Sequence, residues 1–150
     1  MLRFNSDHKF KIMQIADTQE IPAVSPDTLS LINNALDREK PDLVIFTGDQ
    51  IKGYSKKFKK DPAIIESTID ILVEPIAKRN IPFMVTYGNH DAQCGVDNRG
   101  QYKFYAKYDN FISGNLRNAD DVGTADIQIY SSAEDKPVFE LYIIDSHGKA

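Results

Sequence analysis

The chain has 150 residues, of which 41% are hydrophobic and 27% charged, and it carries a net charge of −4. That length suits one domain of ordinary size with enough apolar content for a core, while the acidic balance argues against a general nucleic-acid or anionic-membrane binder. A single cysteine, Cys94, rules out an internal disulfide or a cysteine-based zinc cluster. With no apolar h-region over residues 2–9 and no run of membrane-spanning length, the expectation is a cytoplasmic protein.

In chain order, Phe10 to Ala16 reads as a strand. Ser25-Pro26-Asp27 then opens a helix, with Ser25 as N-cap and Pro26 in the first helical position. Leu29, Ile32 and Leu36 follow at helical spacing, and the helix should stop before Pro41. The continuous apolar run inside Asp42 to Thr47 suits a strand buried on both faces. Asp61-Pro62 repeats the cap-plus-proline signature, and Ile64, Ile65, Ile69, Leu72, Val73 and Ile76 form an apolar helix face. Pro75 should kink that helix or end its regular bonding. Ile81 to Thr86 is a third strand. The alternation predicts parallel strands joined by right-handed crossovers, so the polar turns that follow the strands share one sheet edge. Gln101 to Phe111 reads as a helix whose Tyr102, Tyr105, Tyr108 and Phe111 serve core packing. Asp126 to Tyr130 and Val138 to Ile144 read as a hairpin.

Three strand ends carry the chemistry: Asp17-Thr18-Gln19, Gly48-Asp49-Gln50 and Gly88-Asn89-His90-Asp91. Carboxylates, imidazole and amide oxygen suit divalent ions such as Mn²⁺, Fe²⁺, Zn²⁺ or Mg²⁺. A carboxylate between two others can bridge a pair of ions ~3.5–4 Å apart, as in two-metal hydrolysis. Asp49, on the middle strand, is the bridging candidate; Asp17 and Gln19 would hold one ion and Asn89 the other. His90 is then left as an acid or a stabiliser of charge on phosphorus, with Asp91 beside it in the catalytic group.

These blocks, with the flanking stretches Phe10–Asp17, Lys40–Asp49 and Leu141–Ser146, resemble the calcineurin-like metallophosphoesterases. The closest likeness is to the branch of purple-acid-phosphatase-29-like and Dcr2-type phosphatases. The resemblance spans nearly the whole chain. It implies an α/β fold, the N-terminal portion of a β-sandwich flanked by helices. It also implies two divalent ions and a metal-bound hydroxide attacking phosphorus, with Asn89 as a ligand of the second ion and His90 protonating the leaving oxygen. The substrate class would be a phosphoester, on a small molecule or a phosphoprotein.

Two departures from the family pattern matter. Position 19 is Gln where the first block usually has His, which should weaken Zn²⁺ or Fe²⁺ relative to oxygen-preferring ions; Lys52 stands where many members carry Asp or Asn. The later histidine blocks are absent: only His8, His90 and His147 occur, and His147 reads as a partly exposed loop residue. The expectation is therefore a single partial domain over residues 1–150, weak in metal binding and hydrolysis by itself, and prone to self-association through an unpaired Phe139–Ile144 strand. A degenerate, non-catalytic binding module is the alternative. A nucleotide-binding domain is disfavoured because no glycine-rich phosphate loop follows a strand. Lys52, Lys56, Lys57, Lys59 and Lys60 form a basic loop that either draws phosphoesters to the site or is merely solvated.

Overall fold

Apolar side chains on both faces of Leu43–Thr47 (β3) place this strand at the centre of a parallel sheet. It pairs with Ile12–Ile15 (β2) on one side and with Phe83–Thr86 (β4) on the other. A computed structural model describes residues 1–116 and 121–148. Two helices make the crossovers: Pro26–Glu39 (α1) and Pro62–Ala77 (α2). Both start as the sequence predicts. Asp27 N–H donates to the Ser25 hydroxyl at 3.3 Å and Ala63 N–H to the Asp61 carboxylate at 2.9 Å, with proline in the first turn of each helix. α1 ends at Glu39, and Lys40 takes the left-handed conformation as its cap. α2 runs on past Pro75 to Ala77, and the Pro75 carbonyl accepts Arg79 Nη1 at 2.8 Å.

The third helix, Asn98–Ala106 (α3), begins earlier and ends earlier than its predicted Gln101–Phe111. Asp97 caps it by accepting Gly100 N–H at 2.7 Å. Gly100 in the first turn hides this start from a periodicity reading. The aromatic set does pack. Tyr105 is buried, Phe111 lies 5.4 Å from Phe83 and 5.2 Å from Tyr102 between ring centres, and Tyr108 lies 6.1 Å from Phe83.

Ala125–Tyr130 (β6) and Pro137–Ile143 (β7) form the predicted hairpin. It belongs to a second sheet, in which Leu2–Arg3 (β1) pairs parallel with β6 and Asn115–Leu116 (β5) pairs antiparallel with it. β7 is thus paired along one side through β6, which corrects the expectation of an unpaired strand. Its other side is an edge among the described residues.

The layers run helices, parallel sheet, second sheet. Val44, Phe46, Phe83 and Val85 meet the apolar faces of α1, α2 and α3. Leu43, Ile45 and Met84, on the opposite face, meet Leu2, Ala125, Ile127, Ile129 and Ile143 of the second sheet. Among the described residues no helix is long and apolar enough to cross a membrane. The C-terminal ends of β2, β3 and β4 lie together, and the site is built there.

Candidate metal centre and active site

Backbone hydrogen bonds continue past the strands and stitch the first two turns together. Asp17 N–H donates to Gly48 O at 3.0 Å, Gln19 N–H to Asp49 O at 2.9 Å, and Glu20 N–H to Gln50 O at 3.1 Å. Lys52 N–H returns to Glu20 O at 2.8 Å. Asp17, Gln19 and Asp49 all sit at positive φ (52°, 44° and 54°), a conformation non-glycine residues adopt at a cost. Three such residues at one sheet edge mark a place where the chain gives up local comfort for side-chain placement.

The second and third turns touch through glycine. A Cβ on Gly48 would meet Gly88 N at 2.5 Å, and one on Gly88 would collide with the Asp49 carboxylate. Only glycine at both positions lets the turns approach this closely.

Asp91 binds this joint. Its carboxylate accepts Asp49 N–H at 2.7 Å, Gly88 N–H at 2.8 Å and Ile51 N–H at 3.3 Å. The side chain is buried, and burial pushes its carboxyl up to about 6 despite those three donors, with the Asp49 charge pushing the same way. Asp91, grouped with His90 as catalytic in the sequence reading, therefore lies beneath the site as the group that positions Asp49. Asp49 in turn accepts His90 N–H at 2.9 Å through Oδ1.

His90 is held on three sides. Its Nδ1 lies 3.0 Å from Gln93 Oε1, its Nε2 lies 3.3 Å from Asn89 Nδ2, and Tyr54 packs edge-on with ring centres 4.8 Å apart. An amide oxygen only accepts, so the neutral ring carries its proton on Nδ1 and receives Asn89 Nδ2–H on Nε2. That use of the Asn89 nitrogen leaves its Oδ1 as the atom available to a cation. Gln93 and Tyr54 did not emerge from the sequence; the i to i+3 spacing of His90 and Gln93 was the one available signal.

Of the proposed ligands, Asp17 is exposed, Gln19 and Asn89 are half-buried and Asp49 is buried. All four offer oxygen, a donor set that fits hard or borderline divalent ions. A further cluster lies on the far side of the third turn. Ligand atoms of Asp121, Asp145 and His147 fall within 4.8 Å of one another, a spacing compatible with one cation. His147 is exposed, as its loop position predicts, yet its ring nitrogens lie 3.6 Å from Asp121 and 3.8 Å from Asp145. Asp145 is buried, and its carboxylate accepts Asn98 Nδ2 at 3.2 Å and His147 N–H at 2.8 Å. A Cβ on Gly148 would lie 3.6 Å from Asn89 Cβ, so this segment runs alongside the third turn. Asp145 lies within the Leu141–Ser146 stretch of the resemblance, whereas Asp121 carries no local sequence signal, and the fold brings the two together.

A family model for calcineurin-like phosphoesterases matches residues 10–149. Among curated proteins, "Phosphatase DCR2" of Saccharomyces cerevisiae is 34% identical over 170 residues, covering 97% of this chain and 28% of that protein. "Probable inactive purple acid phosphatase 14" of Arabidopsis thaliana is 27% identical, covering 96% of this chain and 41% of its own length. "Probable inactive purple acid phosphatase 29" of the same plant is 28% identical, covering 97% and 42%. The chain therefore spans less than half the length of each of these relatives.

Proposed function

The chain belongs to the calcineurin-like phosphoesterase family, and from that premise we propose that its three turns form part of a metal-dependent phosphoric ester hydrolase. Asp17, Gln19, Asp49 and Asn89 would hold divalent ions, two in the full site. When bound, the ions would supply Lewis acidity at phosphorus and an ionised nucleophile. The protein's own part is placement. Asp91 fixes Asp49 through the backbone, Asp49 fixes the His90 backbone, and Gln93 and Tyr54 fix the His90 ring. His90 can then donate toward the leaving oxygen once it carries a second proton, or stabilise charge on the phosphoryl group.

The single observation that carries this reading is the Asp91–Asp49–His90 chain of hydrogen bonds, which locks the second and third turns into one body. The substrate would be a phosphoester, on a small molecule or a phosphoprotein.

The test uses the full-length protein with monoester and diester nitrophenyl reporters, each of Mn²⁺, Fe²⁺, Zn²⁺ and Mg²⁺ being added back after chelation. Metal-dependent turnover that falls at least ~10²-fold in His90→Ala supports the hydrolase. Turnover that survives both chelation and His90→Ala sinks it.

A non-catalytic binding module is the second reading, favoured by Gln19 and by two relatives that are named inactive. Metal binding by calorimetry without turnover under any ion supports that module. Gln19→His separates the readings further: imidazole should tighten Zn²⁺ relative to Mg²⁺ by roughly tenfold if position 19 is a ligand. Unchanged relative affinity would place Gln19 outside the metal shell.

A further inference from the structure

Beyond the His90 ring lies a depression of about 270 Å³ that the mechanism above leaves unused. Tyr54, Lys56, Lys59, Lys60, Gln93 and Cys94 line it. Two of these, Tyr54 and Gln93, are the residues that touch the His90 ring, so the depression and the site share a wall.

Its charge runs against that of the molecule. The chain is net −4, yet Lys56, Lys59 and Lys60 line this depression, no carboxylate among the described residues does, and Lys52 Nζ lies 5.2 Å from the Tyr54 ring centre. Lys11, Lys78 and Lys107 all have carboxylate partners. Among the described residues Lys52, Lys56, Lys57, Lys59 and Lys60 form no ion pair. Asp61, next to Lys60 in sequence, caps α2 and is in no ion pair with these lysines. Uncompensated like charges gathered in one place repel one another, and an anion relieves that repulsion.

The loop is also ordered. Phe58 is fully buried beneath it, and the Ser55 hydroxyl accepts Lys57 N–H at 3.3 Å. A Cβ on Gly95 would lie 3.0 Å from Lys60 Cβ, so the Lys60 stem rests on the Gly95 backbone. A merely solvated lysine loop needs neither anchor.

We propose that this depression binds a second phosphate group of the substrate, so that the preferred substrates carry two phosphates a short distance apart. The proposal rests on the phosphoesterase reading above. Lysine ammonium groups contact phosphate as point charges with three rotatable donors each, which tolerates variation in where the second phosphate sits.

The experiment compares butyl phosphate with butanediol bisphosphate on the full-length protein loaded with Mn²⁺. The wild type should show a KM for the bisphosphate lower by about tenfold to a hundredfold, the range expected for charge-assisted contacts. The triple variant Lys56→Gln/Lys59→Gln/Lys60→Gln should erase that difference while leaving kcat and the butyl phosphate KM unchanged. Equal wild-type KM values for the two esters would overturn the proposal. So would a variant that raises both KM values alike, since that is diffuse attraction and not a subsite.

Calorimetric titration of butanediol bisphosphate into metal-free protein gives a readout independent of turnover. Lysine-dependent binding without hydrolysis of either ester leaves the subsite standing and fails the phosphoesterase reading. Hydrolysis of butyl phosphate with no bisphosphate preference does the reverse.

Discussion

The two faces of the parallel sheet are finished to different degrees. On the helix side, Phe46 and Phe83 are fully buried against Leu36, Ile65, Leu72 and Tyr105, and the core is continuous from α1 to α3. On the other side the second sheet covers Leu43, Ile45 and Met84 but stops short of β2, where Ile12 and Gln14 remain exposed on the same face. Phe139, in register with buried Ile129, is itself half exposed, and Ile144 just beyond β7 is 71% exposed. The closed face holds the turns of the site in place; the open face offers apolar surface and a strand edge to whatever meets it.

The largest expected effect tests that contrast. Phe46→Ala should cost about 3–5 kcal/mol in urea denaturation, whereas Ile144→Ala should stay within ~0.5 kcal/mol. Similar losses at the two positions would break the distinction between the faces. Next in size is Asp91→Ala, which leaves the amides of Asp49, Gly88 and Ile51 without their acceptor and should cost roughly 2–4 kcal/mol. Asp91→Asn can keep the oxygen that serves Asp49 and Gly88, and should cost about half as much. A silent Asp91→Ala would mean that the joint between the turns is held by the glycines alone.

The same carboxyl sets a pH signature in the metal-free protein. Its folded value of about 6 lies above the ordinary 3.8, so the native state holds the proton more tightly than the unfolded chain. The stability it contributes is fully present below about pH 4 and is lost as pH rises toward 6, by roughly 2–3 kcal/mol in all. Asp91→Asn should flatten that part of the stability–pH curve. A wild-type curve that instead rises through this window, with Asp91→Asn unchanged, would place the proton elsewhere. The smallest effect concerns the open face. A chain of residues 1–150 should self-associate in light scattering, and Phe139→Lys should shift it toward monomer. A monodisperse wild-type monomer would show that the exposed strand is adequately protected by its own charges.

Much of this organisation is legible from residue order. Ser25-Pro26 and Asp61-Pro62 announce both crossover helices, and the apolar runs before Asp17, Asp49 and Asn89 give the parallel strands and align their turns. What escapes is non-local. β1 and β5 are two residues each, too short for any period, and exist because β6 offers them partners. Asp91 reads as a member of the catalytic group beside His90, and its burial against three amides shows which neighbours it holds. Tyr54 is separated from His90 by all of α2 and β4, so their ring contact is a product of folding.

The carboxylate-bound turn amides have one more consequence. Asp49, Gly88 and Ile51 give their N–H groups to Asp91, and His90 gives its own to Asp49. Amides in turns ordinarily exchange with solvent deuterium through small, frequent openings. Here no single turn can open without stripping protons from a buried acceptor that the neighbouring turn also uses. The rim of the sheet should therefore carry exchange protection close to that of β3 itself, a loop region that breathes on the timescale of the core.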